Sequence, residues 1–394
     1  MMRKNKLLIA GGGYADIPLI LSAKKLGYYV ITSGNRPDEL GHKYSDEYYS
    51  ADFSDREAIL RLAASLNVSA ICACCNDFSA LSSSYAAEKL GLPGHDTYNV
   101  AKIIHHKDRY REFAKKAGIT TPLAKGFKRK KDALLWTETL TLPVIVKPVD
   151  LTGGKGISEI RQMDDAEKAI DSAFKISKIK RIVIEEFIVG TRHGFSVFLV
   201  DGRVVFFFSD NEHYYLNPYL VSAASVPSIV PKEVEKKLCA VAEKISSILS
   251  LKTGIFHMQY ILRGDDPIII EICRRAPGDL YIKLVEHATG IDYPSWIVRA
   301  SSGLDCSGLT HSEPKGFFIR HCVMASRTGT LKNILIHSSI RNMIIDKQMW
   351  WKPGDLVTDV NTTKFGIVFI QLSSKEEMIR TAEYLPELII AVIN

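Results

Sequence analysis

An amide and a carboxylate, Gln259 and Glu271, lie in the stretch GIFHMQYILRGDDPIIIEICRRAPGD, residues 254–279, with Arg274 and Arg275 close behind. Both side chains offer oxygen, and a hard cation such as magnesium takes one or two carboxylates together with oxygens of its substrate. The element that must bring them together is a hairpin. Glycine, two aspartates and a proline between Arg263 and Pro267 separate two runs rich in β-branched and aromatic residues, which predicts two antiparallel strands and a turn. A hairpin centred near Asp265 sets position 259 opposite 271, because paired positions in an antiparallel ladder have a constant sum. His257, Gln259 and Ile261 then share one face, opposite Ile269, Glu271 and Cys273. The competing reading is a solvated amphipathic hairpin with ordinary surface charges. Against it, Glu271 interrupts an otherwise apolar run, and a lone acid among buried apolar residues is costly unless it is paired or metal-bound.

A second group of residues suits phosphate. DLTGGKGI, residues 150–157, is glycine-rich: Gly153, Gly154 and Gly156 let backbone N–H groups come close to phosphate oxygens, and Lys155 adds a cation. The loop does not fit the P-loop pattern, lacking both its first glycine and a Ser or Thr after the lysine. Lys147 ends the preceding strand TLPVIVKP, and Glu185-Glu186 lie in a later one, KRIVIEEFIVG. Lys107, at the start of the helix in HHKDRYREF, has nothing local to distinguish it. The first turn, Gly11-Gly12-Gly13-Tyr14-Ala15-Asp16, invites a dinucleotide reading but fails where Asp16 replaces the third glycine and sets a negative charge beside any pyrophosphate. Glycines serving a tight strand-to-helix turn are the better account.

With 394 residues the chain can form two or three packed domains, and its composition is that of a globular protein rather than a disordered one. The net charge of +7 is interleaved with acids, which suits an anionic small molecule better than nucleic acid. Seven cysteines, three of them in AICACCND, form no spaced disulfide framework, so the expected compartment is reducing and cytoplasmic. Cys72, Cys74 and Cys75 read as small buried hydrophobes. The basic start MMRKNKLLIAGGG is too short in apolar residues for a signal-peptide core. No run approaches the roughly 18 apolar residues of a spanning helix.

Residues 6–34 read as strand, glycine turn, helix and strand, and a second such unit follows, so the chain opens with a parallel sheet carrying helices on its faces. From about residue 120 the pattern changes to strands around the glycine loop.

At these residues the chain resembles the ATP-grasp superfamily of carboxylate ligases over nearly its whole length, more nearly the L-amino-acid ligase branch and more distantly biotin carboxylase. The resemblance implies an α/β (α+β) fold: an N-terminal open parallel α/β domain over 1–103 and an ATP-grasp domain over 104–304. A lid subdomain falls at about 122–186, and a C-terminal cap over 305–394 completes the domain. By resemblance, Lys107 and Lys147 contact the nucleotide phosphates and Gly153-Gly154-Lys155-Gly156 closes over them. Glu185-Glu186-Phe187-Ile188 receives the adenine, Gln259 and Glu271 hold magnesium or manganese, and Arg275 stabilises the anionic reaction centre or holds the acid. Lys155 is expected to join Arg275 in catalysis.

Two departures stand out. Thr191-Arg192-His193-Gly194 replaces a common glutamate and is similar to the RH segment of biotin carboxylase, which implies a nucleotide role for His193; a satisfied surface histidine is the alternative. Gln259 is a neutral ligand that removes one negative charge from the site, so the metal is held more weakly or another carboxylate takes part; Arg274 is expected to help set the acid. The implied activity is an ATP-dependent carboxylate–amine ligase working through an acyl phosphate and releasing ADP and phosphate. The alternatives are a bicarbonate-activating carboxylase or carbamoyl-phosphate-type enzyme, and an ATP-binding protein without ligase chemistry. Expected partners are small-molecule acids and amines, amino acids among them, and a second copy of the chain, with neither nucleic acid nor membrane.

Overall fold

The computed structural model describes residues 5–394 except Thr152; the basic start of the chain and that one loop residue lie outside the described residues. Four sheets organise the rest. The first is parallel, in the order β3-β2-β1-β4, built from β1 (Lys6–Ala10), β2 (Tyr29–Gly34), β3 (Glu47–Ser50) and β4 (Ala70–Ala73). Helices α1 (Ile17–Lys25), α2 (Arg56–Leu66) and α3 (Asp77–Leu90) pack on it, as alternation of short apolar strands with helices requires.

The glycine turn after β1 carries its own anion. Asp16 is buried, and its carboxylate accepts the Gly13 N–H at 2.8 Å and the Cys75 N–H at 2.9 Å. Those are the donors a pyrophosphate would need. A Cβ on Gly11, whose φ is +153°, would lie 2.3 Å from the Cys74 Cβ, so close packing accounts for that glycine.

Helices α4 (Tyr98–His105) and α5 (Lys107–Lys116) lead into a small antiparallel sheet, β5-β8-β6-β7, of β5 (Ala124–Phe127), β6 (Val144–Pro148), β7 (Ser158–Ile160) and β8 (Ile182–Glu186). Val144, Val146, Ile182 and Ile184 pack with α6 (Lys130–Thr137) and α7 (Ala166–Ile176). The alternate residues Ile145, Lys147 and Glu185 face the other way, into a cavity.

The third sheet has eight antiparallel strands, ordered β13-β12-β9-β10-β11-β14-β18-β16. It takes β9 (Thr191–Val200), β10 (Arg203–His213), β11 (Ala223–Val226), β12 (Gly254–Arg263), β13 (Asp266–Cys273) and β14 (Phe317–Val323). It is completed, after β15 (Gly329–Ile336), by β16 (Ile344–Met349) and, after β17 (Leu356–Val357), by β18 (Gly366–Leu372). A small sheet orders β17-β15-β19, with β19 at Ile389–Ile393. Helix α8 (Lys232–Leu249) offers Val234, Leu238, Ala242 and Ile245, at helical spacing, to one face of the large sheet. That face buries Phe195, Val197, Phe256, Met258 and Tyr260. The intervening residues His257, Gln259 and Ile261 line the cavity.

The β12–β13 hairpin pairs Gln259 with Glu271 and His257 with Cys273, as the sequence predicts. Its turn differs. Arg263 pairs with Asp266, so Gly264, at φ +61°, and Asp265 form the turn, and a register shift next to Gln259 restores the pairing of 259 with 271. Ile269 therefore pairs with Tyr260 and packs in the α8 core rather than beside Glu271, and Ile270 lines the cavity instead.

Candidate active site

The inner faces of the small and the large antiparallel sheets enclose a cavity of about 320 Å³. Eleven of the candidate site residues expected from sequence line it: Lys107, Lys147, Gly153, Gly154, Glu185, Glu186, Phe187, Ile188, Gln259, Glu271 and Arg275. They come from α5, β6, the glycine loop, β8, β12 and β13, so no single element positions the site.

At one end Glu185 acts as an electrostatic hub. It is fully buried and lies 2.7 Å from the Lys147 ammonium and 2.9 Å from the Arg111 guanidinium. Burial alone would raise its pKa, but the two cations, Arg111 first, hold it down to about 2. Burial lowers the Lys147 pKa in turn. Glu185 thus fixes the two cations instead of offering its own carboxylate to a ligand. A depressed carboxyl contributes stability that is full above its ordinary value of 4.5 and is lost as the pH falls toward about 2. Acid unfolding should therefore steepen across that window, and in Glu185→Gln the slope should flatten, read as chemical-denaturation midpoints against pH.

Lys107 donates to the Leu151 carbonyl at 2.9 Å and sits 3.4 Å from Glu271 Oε1. Gln259 donates its amide to Glu212 Oε1 at 2.6 Å. Glu212, which no sequence signal singled out, thus lies beside Gln259 in the cavity. Near it Asp210, also lining the cavity, is buried and accepts the Tyr281 hydroxyl at 2.9 Å. Burial, then the charge of Glu212, pushes Asp210 up to about 7.

At the other end Arg275 is half-buried and donates to Asp77 Oδ1 at 2.8 Å; His105 Nδ1 lies 2.9 Å from the same oxygen. Burial alone would raise the Asp77 pKa, but Arg275 and His105 hold it well below the carboxylate range. Asp279 accepts Lys364 Nζ at 2.5 Å and the Tyr14 hydroxyl at 2.7 Å, and Arg320 donates to its carbonyl at 2.9 Å. Arg320, Lys364, Asp279 and Asp210 were not legible from local pattern, because they meet only through the order of strands in the large sheet.

Three expectations need correction. His193 does not reach the cavity: it lies on the α8 face of β9, buried, stacked on Tyr260 and bonded to the Thr191 hydroxyl at 2.7 Å. Burial lowers its pKa to about 4. Strand alternation put it opposite the face on which Gly194 pairs with Gln259. Arg274 is spent on structure, donating to Asp96 at 2.8 Å and to the carbonyls of Lys252 and Ile255. Lys155 and Gly156 line an adjoining open groove with Asn217, Asp359 and Thr362, outside the main cavity.

This arrangement, a nucleotide-sized cavity roofed by a small sheet with a glycine loop over a large antiparallel sheet, is the ATP-grasp architecture. The family model for the ATP-grasp (A) domain of phosphoribosylglycinamide synthetase matches residues 105–216. Phosphoribosylamine–glycine ligase from Pyrococcus abyssi is 29% identical over 317 residues, covering 72% of this chain and 71% of that protein. Among solved structures, the L-amino acid ligase of Bacillus licheniformis aligns over 100% of both chains with a TM-score of 0.82 at 18% identity. The biotin carboxylase domain of the 2-oxoglutarate carboxylase of Hydrogenobacter thermophilus aligns over 100% of this chain and 91% of its own, with a TM-score of 0.79 at 18% identity. The chain has the ATP-grasp fold and is similar in sequence to ATP-dependent ligases. Among the described residues no helix is long and apolar enough to cross a membrane.

Proposed function

We propose that the cavity binds ATP with magnesium, and that the chain transfers the γ-phosphoryl group to a carboxylate and joins the resulting acyl phosphate to an amine, releasing ADP and phosphate. The observation that carries this reading is the convergence in one cavity of Gln259 and Glu271, paired across two strands, with Lys107, Lys147, Arg275 and the segment Glu185–Ile188. A carboxylate is a poor electrophile, and phosphorylation gives it a good leaving group. The protein's part is positioning and charge neutralisation.

The divalent ion fits the residues present. Glu271 supplies one carboxylate and Gln259 an amide oxygen on directly paired positions, a donor set that leaves room for phosphate oxygens. Among the described residues no three His, Cys, Asp or Glu side chains gather as a self-sufficient metal site, which agrees with an ion carried in by the nucleotide. Bound there, the ion neutralises charge on the phosphates. Lys107 and Lys147 hold phosphate oxygens, Arg275 holds the acid and then the tetrahedral oxyanion, and the segment Glu185–Ile188 borders the adenine. The sheet over 124–186 serves as the lid and the cap is the segment 305–394. The relatives' names favour amino acids as substrates.

The test uses hydroxylamine, an uncharged nucleophile at neutral pH that traps acyl phosphates as hydroxamates. Incubated with MgATP and pooled amino acids and metabolic acids, the chain should release ADP and form hydroxamate in equal amounts. Neither product from any pool would remove the ligase reading. Labelled bicarbonate entering product would shift it to a carboxylase. Lys155→Ala should lower kcat at least about tenfold with little change in ATP affinity, because a loop ordered on closure acts mainly in the transition state. A variant that lost only ATP affinity would contradict this role.

A further inference from the structure

The acids on the floor of the large sheet have no cation in direct contact, although Arg320 and Arg192 act on them from farther off across the cavity. Asp210 and Glu212 both line the cavity, and no lysine, arginine or histidine nitrogen lies within 4.0 Å of either carboxylate among the described residues. Asp210 is 1% exposed, and its Oδ2 meets no hydrogen-bond donor among those residues. Two adjacent acids, Asp210 buried and Glu212 half-buried, without a cation in contact are unfavourable unless one arrives. By contrast, Glu185 contacts Lys147 and Arg111, Asp77 contacts Arg275, and Asp279 contacts Lys364. The backbone makes room for this pair. Gly194 sits between Gln259 and Asp210 in the strand order, and a Cβ there would lie 2.6 Å from Asp210 Oδ1.

We propose that Asp210 and Glu212 form a subsite for a protonated amine, the ammonium group of the substrate that becomes the nucleophile. The identity of the cation as the amine substrate rests on the ligase reading; the cation subsite itself rests on the geometry alone. Three donors already orient the pair: Tyr281 on Asp210, and Tyr214 at 2.5 Å and Gln259 at 2.6 Å on Glu212. What these leave is a set of directional acceptor lone pairs, which suits the N–H groups of an ammonium. Magnesium asks for near-octahedral oxygens at about 2.0–2.1 Å, and no third His, Cys, Asp or Glu gathers with the pair among the described residues. The location is also suitable, since Glu212 touches Gln259, the partner of Glu271 in the site proposed for the phosphates and their ion.

Ethylammonium chloride is the probe, and tetramethylammonium, of equal charge without N–H groups, is its control. In thermal unfolding of the full chain, ethylammonium should raise the wild-type midpoint by about 2 °C more than tetramethylammonium. That difference should vanish in Asp210→Asn and in Glu212→Gln. Stabilisation by MnATP, which relies on Glu271, should persist in both variants and shows that they are folded. Equal responses to the two ammonium ions in the wild type would overturn the proposal. So would loss of the MnATP response in otherwise folded variants, which would make these acids metal ligands. The hydroxylamine assay does not use the subsite, so a failed ligase reading shows there while the ammonium response stands or falls separately.

Discussion

Glu271→Ala is expected to lower ADP formation at least about a hundredfold while the thermal midpoint stays within about 2 °C of wild type. The structure supports both halves. Glu271 faces the cavity with its side chain 27% exposed, and its one close partner is Lys107 at 3.4 Å, a loose pair that contributes little to stability. The hairpin keeps its apolar packing on α8 without it. ADP release and calorimetry on the same preparation check the two halves. Wild-type-like turnover in this variant would remove the assignment of the phosphate-bound ion to Gln259 and Glu271.

Arg275→Ala should fail differently, and here the structure revises what the sequence suggests. Read as a free substrate ligand, Arg275 could be truncated with the fold intact. In the structure it is the counter-ion of Asp77, 2.8 Å away with both side chains largely buried. Removing one partner of a buried pair leaves an uncompensated charge, at a cost of about 3–5 kcal/mol. The single variant should therefore lose both stability and ADP formation. Adding Asp77→Asn to it should restore much of the stability and none of the activity, which separates the two roles in chemical denaturation and ADP assays. Stability recovered together with turnover would show that Arg275 acts only as a structural counter-ion.

The hairpin shows how far local pattern carries. Turn residues and alternation predict that Gln259 faces Glu271, and the structure pairs them. The centre inferred from that sum was off by half a residue; the register shift hid the error at 259 and exposed it at Ile269, which changed faces. The parallel opening of the chain was legible because α/β alternation is a local signal, and the failed dinucleotide turn was legible because Asp16 has the wrong charge. His193 and Arg274 misled for a common reason: their neighbours in sequence belong to the site, but the strand period and a local salt bridge turn them elsewhere. Glu212, Arg320 and Lys364 carried no local signal. Arg320 reaches the cavity because β14 pairs with β11, a contact between segments nearly a hundred residues apart that no window of sequence contains.

That strand order bears on how the chain comes to be folded during synthesis. The β9–β10 and β12–β13 pairs join neighbouring segments and close short loops, whereas β11 must wait for β14, and β14 for β18. Distant pairings come late because their loop-closure entropy must be met first. A nascent polypeptide leaving the ribosome should therefore assemble the nucleotide half of its pocket before the half bearing Arg320 and Lys364 exists, and until then the unpaired edge of β11 is where misassociation should begin.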